Sequence, residues 1–516
     1  MILRSFLVTW IGSTLVFGAA LRPGAEPGRT VLVGLEPGGR LRYPAYSAGG
    51  DTLPDFSHCG FGGGGVALPV APVRERLTPQ PGGDDAPRIQ AALDRVGALP
   101  PGEDGLRGAV LLSRGEYRCE QPLRIEASGV VLRGEGEGTE GTVVVASYRQ
   151  QLPLIRVGGK SGPRELGGRQ RTIADAYVPV GARRFMVEDA AGLAVGQSVL
   201  VVRRGNAAWI TELGMDRIVP RKSDPGSTRQ WGPFDLKFDR VITAIDGRAV
   251  TIDAPIACAI DRRWGGGVVA PYQDEARIER CGVEHLRAVS VFDRGQTALH
   301  QGEKVWVDER HATHLVSFGA VKHAWARRLT TEGFYHGPVQ VGGAAKWVTV
   351  EDCTSQAPVS QITGGRRYPF SVDGQLVLVQ RCRSDRARHA FVFGARVPGP
   401  NVFLECVSTH DYASSEPHHR WSVGGLYDNV ESLLAIQDRG SMGTGHGWAG
   451  ANYVVWNCRG SLICQQPPTA QNFAIGFVGR RGKDAYPRPT GWWESEGTPV
   501  EPRSLYRAQL AARLGP

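Results

Sequence analysis

The feature that most constrains this chain is a repeat of 24 to 29 residues in its second half. Segments between 275 and 464 share an apolar-x-apolar pattern followed by a small residue. Cys353, Cys382 and Cys406 are 29 and 24 residues apart, and Cys458 follows after 52, two steps of about 26. Repeats of this length with short strands and no helix are typical of a solenoid whose coils stack on their neighbours. These cysteines are therefore predicted to form a ladder of small interior side chains.

The composition fits a turn-rich, β-dominated protein. The 516 residues are 41% hydrophobic and 22% charged, which argues against a mostly disordered chain, and the 69 glycines and 34 prolines indicate many turns. The nine cysteines include no CxxC pair, so zinc-ribbon and thioredoxin chemistry lack support and buried free thiols are predicted. The net charge of +9 is compatible with an acidic polymer as partner.

The first residues have the pattern of a secretory signal. Arg4 precedes the apolar run 5–17, and small residues follow at 18–20. A signal peptide is predicted at 1–20, because the apolar run is shorter than the roughly 20 residues that a membrane span needs. The mature protein is expected to be secreted or periplasmic, with no integral membrane span, and an exported protein is not expected to bind nucleic acid.

Changes of pattern along the chain predict its organisation. Asp84 and Asp85 precede Pro87 and an apolar-periodic run, which indicates one short helix at about 86–97. Short β-branched runs separated by glycine turns begin at Gly108. The predicted parts are a lead-in at 21–83, the start of the solenoid at 84–163, a β-rich insertion at 164–260, further coils at 261–480 and a tail at 481–516.

Three consecutive segments carry a family resemblance: DDAPRIQAALDRV, GAVLLSRGEYRC and LRIEASGVVLRGEGEGT. Together with the later repeats, they resemble the pectate-lyase superfamily. The resemblance implies an all-β fold, a right-handed parallel β-helix with an N-terminal capping helix, here carrying the insertion. Members are mostly secreted polysaccharide lyases, glycoside hydrolases and epimerases, with phage tailspikes among them. The resemblance therefore implies a long polysaccharide as ligand, while a shared fold does not choose the reaction. An acidic polysaccharide is the expected substrate.

Loops of the later coils are rich in the side chains that elimination from a uronate requires. Nine of the twelve histidines lie between 311 and 446. Arg388 and Arg420 are predicted to neutralise the substrate carboxylate. His389 or His419 is the expected base, and Tyr368 is the expected acid. The residues expected to bind the substrate around them, with the two tryptophans stacking on sugar rings, are Arg366, Arg367, Arg396, His410, Trp421, Arg439, His446 and Trp448.

Two other functions remain open at this point. Hydrolysis needs paired carboxylates, for which Asp308, Glu309, Asp411 and Asp438 are available. A non-catalytic solenoid that binds polysaccharide would need arginine and tryptophan but no titratable centre. No cofactor is predicted, and calcium is not favoured because the carboxylates form no compact cluster in the sequence. Ultraviolet absorbance separates the reactions, because only elimination creates a double bond conjugated to the carboxylate.

Overall fold

The computed structural model describes residues 26–36 and 40–515, so the predicted signal peptide at 1–20 lies outside the described residues. Within these ranges, no helix combines the length and the apolarity that crossing a bilayer requires. Parallel strands from successive coils stack into long sheets. The fold is a right-handed parallel β-helix with an insertion, as predicted.

Each complete coil contributes strands to three rows, which we name rows A, B and C in chain order. Two long strands, Gly282–Ser290 and Val321–Glu332, run through a corner from row A into row B. The other strands of row A are Val73–Leu77, Gly108–Leu112, Val130–Gly136, Ile278–Glu279, Lys346–Glu351, Leu378–Gln380, Pro398–Leu404, Ser422–Asp428, Gly450–Ala451, Val454–Trp456, Phe473–Ile475 and Trp492–Glu494.

Row B and row C complete the coils. The other strands of row B are Gly115–Cys119, Thr142–Ala146, Thr354–Gln356, Arg383–Asp385, Val407–Thr409, Glu431–Ile436, Arg459–Cys464 and Val478–Arg481. The seven strands of row C are Leu123–Ile125, Ile155–Val157, His314–Phe318, Gly337–Val341, Phe370–Val372, Phe391–Ala395 and Glu416–His419.

At each corner between rows A and B, one residue in the left-handed region of φ turns the chain. Row A pairs Glu351 with Gln380 and row B pairs Thr354 with Arg383, so the residues at the corner are also in register. These corner residues, with φ between 50° and 65°, are His285, Arg328, Asp352, Arg381, Glu405, Asn429, Asn457, Gly476 and Ser495.

Hydrogen bonds at these corners join each coil to the next. The backbone N–H of Arg381 donates to the carbonyl of Leu404, and that of Glu405 donates to the carbonyl of Asp428, both at 2.9 Å. Each acceptor immediately precedes the corner residue of the following coil. The left-handed conformation costs a non-glycine residue about 1–2 kcal/mol, and this bond offsets part of that cost only when the coils stack.

The predicted cysteine ladder is confirmed. Cys353, Cys382, Cys406 and Cys458 each follow a corner residue and are buried in the main core. Each thiol donates to the carbonyl two residues earlier, at 3.3–3.5 Å. All nine cysteines are free and buried, which is consistent with packing rather than redox chemistry.

A helix closes the N-terminal end of the solenoid. The helix α1, Ala86–Ala98, matches the predicted helix and buries Ile89 and Val96 against the interior core. Asp85 makes no side-chain capping bond. Its carboxylate instead accepts the backbone N–H of Arg118 at 2.8 Å, which ties the start of the helix to row B.

The insertion folds as an antiparallel sheet beside the coils, together with the short helix α2, Ala207–Leu213. The strand Gly267–Gln273 pairs in this sheet, so the insertion extends beyond the predicted boundary at 260. The other strands of the sheet are Arg164–Glu165, Arg171–Thr172, Arg184–Met186, Ser198–Arg203, Leu236–Asp246 and Ala249–Ile252. A separate pair joins Tyr177–Val178 to Ile260–Asp261.

The remaining elements lie at the ends and in loops. The helix α3, Leu505–Leu514, packs against the lead-in, because the Tyr506 hydroxyl donates to the carbonyl of Cys59 at 2.8 Å. Two further strand pairs are Gly34–Leu35 with Leu41–Arg42 and Thr297–His300 with Glu303–Trp306. Short 3-10 helices occur at Phe61–Gly63, Pro225–Ser227 and Arg262–Trp264.

A buried ionic network fastens the insertion to the coils. Asp239 of the insertion pairs with Lys346 of row A and with Arg277, both at 2.9 Å, and accepts the Tyr272 hydroxyl at 2.7 Å. The side chains of Lys346 and Arg277 are 1% exposed. Burial alone would raise the pKa of Asp239, but the two cations hold it below its usual range.

Replacing Asp239 by asparagine is expected to lower the free energy of unfolding at pH 7 by about 3–5 kcal/mol, because two buried cations lose their partner. Chemical denaturation measures this. A carboxylate whose pKa is lowered by folding stabilises the fold at pH values above its unfolded-state pKa. The difference in unfolding free energy between wild type and variant should therefore shrink as the pH falls toward the folded-state pKa. The control Asp246→Asn, in an exposed pair with Arg184, should change stability by under about 0.5 kcal/mol. Equal stabilities of Asp239→Asn and wild type would contradict the role of the network.

Candidate functional site

Titratable rings from four consecutive coils meet at the edge of row C. Because Phe370 pairs with Phe391, Tyr368 is aligned with His389, two residues before each strand. The neighbouring strand Glu416–His419 carries two further imidazoles. We name the residues Tyr368, His389, His418, His419 and His446 the histidine–tyrosine cluster.

The rings of the cluster are in contact. The centroid of Tyr368 lies 5.0 Å from that of His389 and 5.3 Å from that of His418. The centroid of His446 lies 4.9 Å from His418 and 4.8 Å from His419. Stacking of the coils thus brings together side chains that are up to 78 positions apart in the sequence.

The Tyr368 hydroxyl is the centre of the cluster. It accepts a hydrogen bond from Arg388 Nη1 at 3.0 Å and lies 2.8 Å from His418 Nε2. Burial raises the pKa of Tyr368 to about 12, so the phenol is neutral at pH 7. Burial and the charge of Arg439 lower the pKa of His418, so its imidazole is neutral and can accept the phenol proton.

A buried carboxylate lies beneath the rings. Glu416 is 1% exposed, and its Oε1 lies 2.6 Å from Arg439 Nη1 and 3.2 Å from His389 Nδ1. Burial raises the pKa of Glu416 to about 7, while Arg439 acts in the opposite direction. Arg439 also donates to the carbonyl of His418 at 2.6 Å. Arg439 is only 6% exposed, so it orients the cluster. The expectation that Arg439 binds substrate is therefore wrong.

The expected base His389 is too deep to reach a substrate. It is 2% exposed, and its Nδ1 lies 2.5 Å from the carbonyl of Ser414. Burial and the nearby arginines lower its pKa, so the ring is neutral. The structure thus corrects this expectation: His389 packs against the rings of Tyr368 and His418, at centroid distances of 5.0 and 5.3 Å, and is closed to a substrate.

One group of side chains has the spacing of a metal site. One ligand atom from each of His389, Glu416 and His418 lies within 4.8 Å of the other two. The guanidinium of Arg439, at 2.6 Å from Glu416, already neutralises the only carboxylate of this set. Two imidazoles and one carboxylate also do not supply the set of oxygen ligands that calcium prefers. We assign no metal to the cluster.

A second carboxyl group lies on the outer face of row C, where the sequence analysis missed it. Asp373 follows the strand Phe370–Val372, and a Cβ placed on Gly394 would come within 1.7 Å of its Oδ1. The carboxyl group therefore occupies the space above Gly394, which is aligned with His418 of the next strand. Burial raises the pKa of Asp373 to about 6.

Three residues predicted to bind substrate are occupied elsewhere. Arg367 is 3% exposed and donates to the carbonyls of Ser360 and Trp306, so it cannot bind a substrate. Arg366 is paired with Glu309. His410 is exposed at the end of row B and bonded to Asp385, 2.7 Å away, outside the ring contacts of the cluster.

The two tryptophans expected to stack on sugars are buried. Trp421 is 0% exposed and Trp448 is 2% exposed, and both belong to the core that the coils share with the insertion. The ring of Trp421 lies 5.3 Å from that of Trp209, which belongs to the insertion. Neither ring is accessible to a substrate, so this expectation is wrong.

The remaining predicted arginines lie at the opposite edge of row C, toward the insertion. Arg420 donates to the carbonyl and the hydroxyl of Thr444. Arg396 is exposed, and its guanidinium lies 4.2 Å from the ring centroid of Phe234. The structure does not bring either guanidinium into contact with Tyr368.

The carboxylates considered for hydrolysis are also separated. Asp308 is 0% exposed and pairs with Arg149, and Asp438 is 0% exposed and pairs with Arg488. Burial raises the pKa of Asp411 to about 7, but its carboxylate bonds to Ser408 at the end of row B. These three carboxylates therefore do not form the close pair that hydrolysis needs.

The sequence matches no family model and no curated protein. The fold is similar to that of several solved structures. Among solved structures, the Gp54 tailspike of Acinetobacter baumannii bacteriophage AP22, in complex with capsular saccharide, is 10% identical with a TM-score of 0.44. It covers 78% of this chain, which spans 55% of that one.

Two further structures are similar at the same level. The tailspike of E. coli bacteriophage HK620, in complex with a pentasaccharide, is 12% identical (TM-score 0.39, 84% of this chain and 57% of that chain). PfbA, a surface adhesin of Streptococcus pneumoniae, is 9% identical (TM-score 0.38, 78% and 76%). The chain thus spans little more than half of either tailspike. The resemblance to the pectate-lyase superfamily stays a prediction.

Asp373→Asn is expected to stabilise the protein at pH 8 by about 2 kcal/mol and to change little at pH 4. A carboxyl group whose pKa is raised in the fold contributes stability below its unfolded-state pKa and loses it as the pH rises through about 6. Denaturation at both pH values measures the effect. Asp484→Asn, at an exposed position, is the control. If the stability of the variant relative to wild type is the same at pH 8 and at pH 4, the raised pKa of Asp373 is contradicted.

Proposed function

We propose that this protein cleaves a uronate-containing polysaccharide by β-elimination. The observation that carries the proposal is the Tyr368 hydroxyl, held between the guanidinium of Arg388 at 3.0 Å and Nε2 of His418 at 2.8 Å. A cation, a neutral base and a neutral acid are the three groups that proton abstraction next to a carboxylate and expulsion of an alkoxide require.

The shape of the fold supports a polymeric substrate. Seven parallel strands of row C stack side by side, and at about 4.8 Å per strand their outer face is about 29 Å long. A sugar chain lying along this face would pass the histidine–tyrosine cluster. The net charge of +9 favours an anionic chain over a neutral one.

The cluster suits each step of the elimination. Arg388 neutralises the C6 carboxylate, which acidifies the proton on C5. His418 takes that proton, the C5–H electrons form the C4–C5 double bond, and the C4–O4 bond breaks. Tyr368 gives its proton to the leaving O4. Transfer of the abstracted proton from His418 to the Tyr368 phenolate, across their hydrogen bond, then restores both groups.

One observation favours hydrolysis as the second candidate. Asp373 lies directly after the row C strand Phe370–Val372, over Gly394. Burial raises the pKa of Asp373 to about 6, which suits a general acid near neutral pH. In this reaction Asp373, rather than Tyr368, would protonate the leaving oxygen.

Tyr368→Phe and His418→Ala are each expected to lower turnover by about 100-fold or more, because each removes one of the two proton-transfer groups. The measurement is the ultraviolet absorbance of unsaturated products on polygalacturonate, alginate, glucuronan and glycosaminoglycans. Tyr148→Phe is the matched control. It removes a phenol hydroxyl that bonds to the carbonyl of Leu152, away from the cluster, and should leave turnover unchanged.

The products discriminate between the candidates. New reducing ends without ultraviolet absorbance, lost in Asp373→Asn and kept in Tyr368→Phe, would replace elimination by hydrolysis. Full activity in both Tyr368→Phe and His418→Ala would overturn the proposed mechanism. Binding of a polymer with no new ends would leave a binding protein and remove both reactions.

A further inference from the structure

One tryptophan stands out by its exposure. Trp306 is 42% exposed, the largest fraction of any tryptophan in the described part of the chain. It ends the hairpin formed by Thr297–His300 and Glu303–Trp306, in the loop that follows the strand Gly282–Ser290. A partly exposed indole keeps apolar surface in water, so covering it with the apolar face of a ligand is favourable.

The hairpin lies along the solenoid axis, over later coils. Glu303 pairs with Arg386 at 3.3 Å, and the ring of His300 lies 5.0 Å from that of Tyr412. Arg386 and Tyr412 follow row B strands of coils well beyond the hairpin's own coil. These contacts fix the hairpin on the side of the β-helix from which the loops enter row C.

The same hairpin is joined to the loop of the histidine–tyrosine cluster. The buried guanidinium of Arg367 donates to the backbone carbonyl of Trp306 at 2.9 Å. Arg367 directly precedes Tyr368, so one side chain separates the Trp306 backbone from the backbone of the proposed acid. Arg367 therefore positions the hairpin instead of binding substrate.

The Trp306 ring has one aromatic and one cationic neighbour and stays partly exposed. The ring of Phe292 lies 5.4 Å from it, and the guanidinium of Arg294 lies 5.6 Å from its centroid. Arg294 is exposed, and it makes no ion pair among the described residues. A partly exposed indole beside a cation without an acidic partner is complementary to a sugar ring that carries a carboxylate.

We propose that Trp306 and Arg294 form a subsite for the acidic polysaccharide, next to the histidine–tyrosine cluster. The indole stacks on the apolar face of one uronate ring, and Arg294 binds the carboxylate of that ring or its neighbour. The inference rests on the proposed function for its substrate class. It gives the stacking role, which the buried Trp421 and Trp448 cannot perform, to a residue that the sequence analysis did not consider.

Affinity electrophoresis tests the subsite without catalysis. Each protein carries Tyr368→Phe, and each gel contains polygalacturonate, alginate or hyaluronan. On the polymer that retards the parent, Trp306→Ala is expected to weaken binding about 10-fold, and Trp306→Phe should keep part of the affinity. Arg294→Ala should also weaken binding, more strongly at low salt. The matched control is Leu299→Ala, which removes a side chain 79% exposed on the same hairpin and should bind like the parent.

The outcomes separate this inference from the proposed function. If the parent is retarded and Trp306→Ala binds equally well, the subsite is wrong while the proposed function stands. If Leu299→Ala and Trp306→Ala weaken binding alike, the hairpin acts through its shape and the stacking role is overturned. If none of the polymers retards the parent or the wild-type protein, the proposed function fails and the subsite fails with it. Thermal unfolding of each variant checks that the fold is intact.

Discussion

The structure depends on corners that are stable only when coils stack. Eight of the nine corner residues between rows A and B are not glycine, although each adopts a left-handed φ that costs about 1–2 kcal/mol. The backbone N–H of Arg381, for example, is bonded to a carbonyl of the next coil. The following residue, Cys382, is buried in the interior. One coil alone gains neither contact, so each corner stabilises its neighbours and is stabilised by them.

This stacking produces the candidate site. Tyr368 and His418 are 50 positions apart, yet their polar atoms lie 2.8 Å apart because two coils of similar length separate them. The parallel register aligns Tyr368 with His389, and the strand Glu416–His419 then continues the row. The buried Glu416 and Arg439 hold the rings from below. The geometry of the site thus follows from the repeat length, which also sets the packing of the interior core.

The sequence predicted what repeats and periodicity encode. The spacing of Cys353 and Cys382 predicted the interior ladder, and the pattern after Pro87 predicted α1. Burial of a side chain by a distant part of the chain was not predictable in this way. Trp421 has the sequence context of a loop residue, but in the structure Trp209, over 200 positions earlier, packs against it. Asp373 reads as a turn residue, and only the register of row C reveals that its carboxyl group covers Gly394.

The central claim is that an acidic sugar chain lies on the outer face of row C with its carboxylate at Arg388. A crystal structure of the Tyr368→Phe variant with a uronate oligosaccharide tests it most directly. The account predicts a sugar carboxylate within hydrogen-bond distance of Arg388, with C5 of the same residue facing His418. An oligosaccharide bound on row A, on row B or on the insertion, with the cluster free of sugar, would contradict it.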